Sequence, residues 1–220
     1  MPWHKPRVRE CQDADTVVLL HGLWRSVWAM EPMAKFLHSQ GYGTINVPYP
    51  SFTKSLEDIT ALVMASIRSH AAGKKVHFVT HSLGGIVMRR LLENFPPEEL
   101  GRIVMLAPPN QGSEIIDWLA DCPPLKCTLG PAGDMLASDK NAAPPLPSEI
   151  DSAVIMGKRS TIPFFRWLLD DSNDGIVSVE RGRIEGMNEF HVMDADHTFI
   201  SSDERVMAMT QRFLRDGRIT

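Results

Sequence analysis

Cysteine is scarce, with three in 220 residues, and so are tyrosine, with two, and aromatic side chains as a whole, at 7%. An odd and small cysteine count does not suit a disulfide scaffold. Cys122 and Cys127 flank a Pro-Pro pair. A small disulfide loop is open to them in an oxidising compartment, and two reduced thiols are the simpler reading. No set of Cys and His lies close enough together in the chain to ligate zinc, so no metal is expected. No apolar run approaches the roughly 18 residues of a membrane span. The first 15 residues hold charges, two prolines and Cys11 where a secretory signal has its apolar stretch. A cytoplasmic location is therefore expected. Lys plus Arg number 23 and Asp plus Glu 27, a net charge of −4. With no basic surplus to neutralise phosphates, nucleic acid is not an expected partner.

What the chain does have is alternation. Short β-branched runs at 16–20, 42–47, 75–80, 102–106, 153–156 and 190–193 read as strands. Between them lie amphipathic stretches at 29–40, 55–72, 85–94 and 203–214, the second opened by Ser55 with Asp58 three residues on. Strands alternating with helices predict an α/β fold with a mostly parallel sheet of about six strands, helices on both faces and no large lid. One domain is expected over 1–220, with an N-terminal extension at 1–14. The stretch 108–150 holds eight of the sixteen prolines and one short helix near 114–119. It reads either as a surface connection or as a cap-like insertion over a site.

The sharpest local signal is Thr80-His81-Ser82-Leu83-Gly84-Gly85, placed directly between a strand and a helix. That is the setting of a nucleophile elbow, in which a strained turn raises a serine hydroxyl above the sheet. Gly84 suits close packing of the helix on a strand. A serine needs a base, and the chain offers eight histidines. His197 follows an apolar strand and precedes the last helix, so its loop returns to the strand tops. His77 and His81 are too close to Ser82 in the chain to turn and face it. His4, His38 and His70 fall on surface segments, and His191 lies in a strand. The base in turn needs a carboxylate. Asp170, Asp171, Asp174, Asp194 and Asp196 are candidates. Asp174, opening Asp174-Gly175-Ile176, is preferred with Asp171 in reserve, and Asp194 and Asp196 are read as shaping the His197 loop. An oxyanion formed at Ser82 needs two N–H donors. Leu83 and, after His21-Gly22, Leu23 are the candidates.

These motifs, with Tyr49-Pro50-Ser51, Leu106 to Ser113 and His197-Thr198-Phe199, resemble the α/β-hydrolases. Among them they resemble the compact bacterial lipase and esterase branch, and they are similar to the group that includes GPI-inositol deacylases. The resemblance covers roughly Asp15 to Leu214. It implies Ser82 as nucleophile, Asp174 as acid, His197 as base and Leu23 and Leu83 as oxyanion-hole amides. No cofactor is implied. The expected activity is serine ester hydrolysis on a small-molecule or lipid ester with a short to medium acyl chain. An acyltransferase or thioesterase using the same residues is the alternative, and a non-catalytic binding module a third. Transient contact with a membrane surface is compatible with such a substrate; the oligomeric state is not legible. Trp24 and Trp28 are expected to line an apolar cleft, with Trp118 and Trp167 as further neighbours or as plain packing residues. Asn110-Gln111-Gly112-Ser113 is left as either a turn or a site neighbour. Thr80 stands where relatives usually carry Gly or Ala and is expected to tighten packing under His197.

Overall fold

A computed structural model describes residues 5–138, 143–160, 168–169 and 172–219. Asp170, Asp171 and Trp167 lie outside them. Among the described residues seven strands form one sheet in the order β1-β3-β2-β4-β5-β6-β7. They are β1 (Arg7–Arg9), β2 (Thr16–Leu20), β3 (Gly43–Asn46), β4 (Val76–His81), β5 (Leu100–Leu106), β6 (Ser152–Gly157) and β7 (Glu189–Met193). All neighbours are parallel except β1 and β3. The helices are α1 (Val27–Ser39), α2 (Leu56–His70), α3 (Leu83–Leu92), α4 (Glu114–Asp121), α5 (Pro123–Lys126), α6 (Gly130–Asp134) and α7 (Glu204–Asp216).

The period of two along each strand sorts side chains into two cores. Val18, Leu20, Phe78, Ile103, Met105, Val154 and Met156 meet Ile59, Val63 and Ile67 of α2 and Ile86 of α3 on one face. Val17, Leu19, Val79, Val104, Leu106 and Ile155 meet Met30, Met33 and Leu37 of α1 and Phe213 of α7 on the other. Helices thus cover both faces, as parallel strands buried on both sides require. No helix among the described residues is long and apolar enough to cross a membrane.

Local chemistry sets the helix ends. Ser55 Oγ accepts the Asp58 N–H at 3.1 Å, capping α2. After α1, Gly41 takes φ 93°. Its N–H reaches His38 O at 3.0 Å and the Tyr42 N–H reaches Leu37 O at 3.2 Å, the paired bonds of a Schellman ending.

The sequence reading of about six strands misses β1, which the extension 1–14 contains. Three residues without an apolar run carry no strand signal of their own. What holds β1 is tertiary: Arg7 and Arg9 both pair with Glu31, a buried carboxylate on α1, which also accepts from Asn46 Nδ2 at 3.2 Å. Breaking such a buried group's pairing costs several kcal/mol, on the order of 3–5. The stretch 108–138 folds as α4, α5 and α6. Leu136 and Ala137 join the core there, and Cys122 and Cys127 are free thiols.

Candidate active site

Six parallel strands share one carboxyl-terminal rim, where open α/β sheets bind ligands. β2 leads there into the loop His21 to Arg25, and β4 into Ser82. Asp174 lies between β6 and β7, and His197 follows β7.

Ser82 has φ 52° and ψ −122°, a positive φ on a side-chain-bearing residue. Such strain costs on the order of 1–3 kcal/mol and must be held by its surroundings. The Ser82 N–H donates to Leu106 O at 3.0 Å, and Ser82 O accepts from Gly85 at 2.9 Å. A Cβ on Gly84 would stand 2.6 Å from Leu20 O, so only glycine lets α3 start this close to β2. Gly22 runs alongside, where a Cβ would meet Ser82 Cβ and His81 Nδ1 at 3.1 Å each.

Asp174 is fully buried, and every oxygen it offers is used. Oδ1 accepts the N–H groups of Ile176 at 3.0 Å and Val177 at 2.8 Å. Oδ2 meets His197 Nδ1 at 2.7 Å. The carboxylate can only accept, so Nδ1 carries the hydrogen and Nε2 is left with its lone pair. The His197 N–H also donates to Asp174 O at 3.0 Å, tying the two loops twice. Ser113 Oγ donates to Ile176 O at 2.8 Å, so the Asn110–Ser113 stretch braces the Asp174 loop as well as turning the chain. Asp196 Oδ1 accepts from Thr198 and Phe199 at 3.0 and 3.1 Å, which shapes the His197 loop.

One cavity of about 190 Å³ takes in Ser82, His197, His81 and the Gly22–Arg25 loop, with Ile116, Leu136, Ile176 and Val177 as apolar wall. Leu23 lines it too, and its side chain packs where a Cβ on Gly133 would come within 2.9 Å. Leu83 opens α3, so its N–H is one of the four a helix start leaves without an intrahelical acceptor. Among the described residues no hydrogen bond joins the Ser82 hydroxyl to His197. The two share a cavity wall, and in ligand-free sites this contact is commonly long until substrate tightens it.

The tryptophans separate. Trp24 borders this cavity, with φ 55° and its indole N–H donating to Thr128 O at 2.7 Å. Trp28 does not line the cleft expected of it. The turn at Trp24 starts α1 at Val27, which sends Trp28 to the opposite side of the loop, under the Arg7 guanidinium at 4.2 Å. There it lines a second and larger cavity of about 820 Å³, with Tyr49 and Leu62, that contains none of Ser82, Asp174 and His197. Trp118 packs partly buried against the core.

Four residues near the site have contacts there that the sequence reading did not assign them. His81 turns away from Ser82 and lies against His197, ring centroids 4.9 Å apart. Its Nε2–H donates to His197 O at 2.8 Å, and burial, then His197, holds its pKa well below the ordinary value. Thr80, expected under His197, instead faces α3, with Oγ1 3.5 Å from where a Gly85 Cβ would be. Tyr49 stacks on His21 at 4.0 Å and donates its hydroxyl to His21 O. The fourth is Gly157, where a Cβ would strike Ala195 O at 2.3 Å and Asp174 Cβ at 3.0 Å. The only sequence signal for it was a glycine at a strand end.

A buried carboxylate, a histidine on it and a strained serine at the rim of a doubly covered parallel sheet define the hydrolase class built on this architecture. A model of the alpha/beta hydrolase family matches residues 17–211, and the chain belongs to that family. The mature lipase BlEst2 of Bacillus licheniformis superposes with a TM-score of 0.75 at 20% identity, covering 96% of each chain. The metagenomic carboxyl esterase MGS0156 gives a TM-score of 0.65 at 21% identity, covering 84% of this chain and 65% of the other. In sequence, the lysosomal thioesterase PPT2-B of Xenopus laevis is 30% identical over 104 residues. That is 44% of this chain and only 36% of the relative's length.

Proposed function

We propose that the chain is a serine hydrolase that cleaves carboxylic esters through an acyl-enzyme. Ser82 Oγ attacks the carbonyl carbon while His197 Nε2 takes its proton. Asp174 holds the imidazole tautomer and stabilises the imidazolium. The tetrahedral oxyanion is met by the N–H groups of Leu23 and Leu83, the latter aided by the α3 dipole. The bond to the leaving alkoxide breaks, and the imidazolium gives it the proton. Water then attacks the acyl-Ser82 carbonyl as His197 accepts its proton; the acyl–Oγ bond breaks, the imidazolium returns the proton to Ser82 Oγ, and the acid departs. The observation that carries this reading is the 2.7 Å hydrogen bond from His197 Nδ1 to Asp174 Oδ2, with His197 on the same cavity as a strained Ser82.

The cavity of about 190 Å³ is small beside the roughly 300–1,000 Å³ of sites that engulf a whole drug-sized ligand, which favours short acyl chains. Likeness to PPT2-B supports a second reading, in which the same steps cleave a thioester and the leaving atom is sulfur.

Replacing Ser82 with Ala is expected to lower kcat on p-nitrophenyl butyrate by about 10³-fold or more. A fluorophosphonate probe should label the parent at Ser82 and leave Ser82→Ala unlabelled. Near-parent turnover in that variant ends the proposal. Paired oxygen and sulfur esters of one acyl chain separate the two readings.

A further inference from the structure

We propose that Arg25 selects substrates whose leaving group carries an oxyanion, a carboxylate or a phosphate. The inference rests on the hydrolase reading of the cavity and adds a substrate class to it.

Arg25 sits at the end of the loop that follows β2. Its N–H closes the turn on Gly22 O at 3.3 Å, just after the positive φ of Trp24. From there the guanidinium reaches across to the His197 loop, where Nη2 donates to Thr198 O at 3.0 Å. It therefore stands between the two loops that bound the cavity, and the side chain is exposed to solvent. Histidines apart, it is the one charged side chain among the described residues lining that cavity. Among the described residues it forms no ion pair, and Thr198 O is its one side-chain hydrogen-bond partner. A guanidinium has five N–H donors in a planar fork. Most of this fork is uncommitted. The carboxylate of the site, Asp174, is buried and bonded to its own loop and to His197.

The apolar wall of Ile116, Leu136, Ile176 and Val177 suits an acyl chain, and about 190 Å³ leaves little room for more. The alcohol or thiol part must then emerge through the mouth, past Arg25. Beside it Trp24 offers a half-exposed indole fixed by its bond to Thr128 O. A flat or extended leaving group that ends in an anion would meet an aromatic surface and then an unneutralised cation.

The test uses three butyrate esters: 4-(butyryloxy)benzoate, its neutral methyl ester, and 4-(butyryloxy)phenyl phosphate. The readout is the kcat/KM of each anionic ester divided by that of the neutral one, compared between the parent and Arg25→Gln. If Arg25 only ties the two loops together, the substitution lowers all three rates alike and the ratios stay put. Anion recognition predicts a fall of about tenfold in at least one ratio, in the range of a charge-assisted hydrogen bond. Arg25→Lys should restore more of the phosphate ratio than of the carboxylate ratio, because a point charge lacks the bidentate fork. Should Arg25→Gln not fold, the parent's own ratios must shrink between about 0.01 M and 0.1 M salt, as the screening length falls from about 30 to about 10 Å. Ratios that neither the substitution nor salt moves overturn the inference while leaving the hydrolase reading intact. A parent that cleaves none of the three esters removes both.

Discussion

The two ends of strand β4 each carry a histidine, and they are finished differently. At the amino end, His77 has both ring nitrogens engaged: Nδ1 accepts the Arg102 N–H at 2.8 Å and Nε2 meets the Asp15 carboxylate at 3.2 Å. At the carboxyl end, His81 has one nitrogen on His197 O, and its Nδ1 is buried with no hydrogen-bond partner among the described residues. His21, at the same end of neighbouring β2, likewise leaves Nε2 bare in the interior. Positive φ at Ser82 and Trp24 adds backbone strain to that rim. Each buried polar atom without a partner costs about 1–3 kcal/mol. The histidine at the amino end is thus fully partnered, and the carboxyl rim keeps bare nitrogens and a strained serine around a cavity. The same residue types, a histidine facing an aspartate, serve both ends; only the surroundings differ.

The largest effect that sharpens this contrast comes from the two carboxylates. In Asp174→Asn the amide oxygen can still accept from Ile176 and Val177, but the amide nitrogen then faces His197. Nδ1 must become the acceptor, and the hydrogen moves to Nε2, where the base needs a lone pair. On the proposed mechanism kcat falls by about 10⁴-fold, roughly 5 kcal/mol of barrier. Asp15→Asn at the other end should leave turnover near the parent's. Its half-exposed pairing with His77 makes the expected stability change under about 1 kcal/mol. Steady-state ester kinetics and urea unfolding on both variants check the pair. Equal losses of activity would erase the distinction between the ends.

Much of the candidate site was legible because its chemistry is local. Thr80 to Gly85 puts strand, strained serine, close-packing glycine and helix start within six residues, and each part has a physical reason visible in the residue type. The candidate carboxylate and base were placed by a turn, Asp174-Gly175, and by a loop after an apolar strand. What escaped was set by partners far away in the chain. Arg7 to Arg9 form a strand because Glu31 and β3 receive them, and no pattern in three residues announces that. Trp24 and Trp28 are four apart in sequence, yet the positive φ at Trp24 parts them between two cavities. His81 could be excluded as a base from its proximity to Ser82, but its bond to His197 O depends on a loop 116 residues on.

A second comparison is by pH. Burial, opposed only by weaker hydrogen bonds, lowers the His21 pKa from 6.5 to about 4. Between those values the unfolded chain binds a proton that the folded one refuses, so stability rises with pH across the window and is lost as pH falls through it. For His21 alone the loss by pH 4 is about 3 kcal/mol. Urea midpoints measured between about pH 7 and pH 4 should decline accordingly. His21→Phe keeps a ring against Tyr49 and cannot take the proton, so its decline is shallower. His77 is shifted in the same direction, chiefly by burial, but Asp15 offsets part of it. His77→Phe should therefore flatten the decline less. Parallel declines in the parent and in His21→Phe would contradict burial of a neutral His21.

The smallest and most discriminating test uses two glycines. A Cβ on Gly157, at the carboxyl end of β6, would press on Ala195 O at 2.3 Å and Asp174 Cβ at 3.0 Å. A Cβ on Gly101, in β5 beside His77, would press on that ring at 2.6 Å. Both substitutions to Ala overpack, at an expected cost of about 1–3 kcal/mol each. The consequence for chemistry should differ. Relief at Gly157 must move either the loop that carries Asp174 or the one that leads to His197, and a displacement near 1 Å from a reacting geometry can cost about 10²-fold in rate. Relief at Gly101 moves His77, which touches neither. At matched loss of stability by urea unfolding, Gly157→Ala should therefore show the lower kcat. An Ala at 157 that keeps parent turnover would mean the Asp174–His197 pair tolerates more slack than its double tie implies.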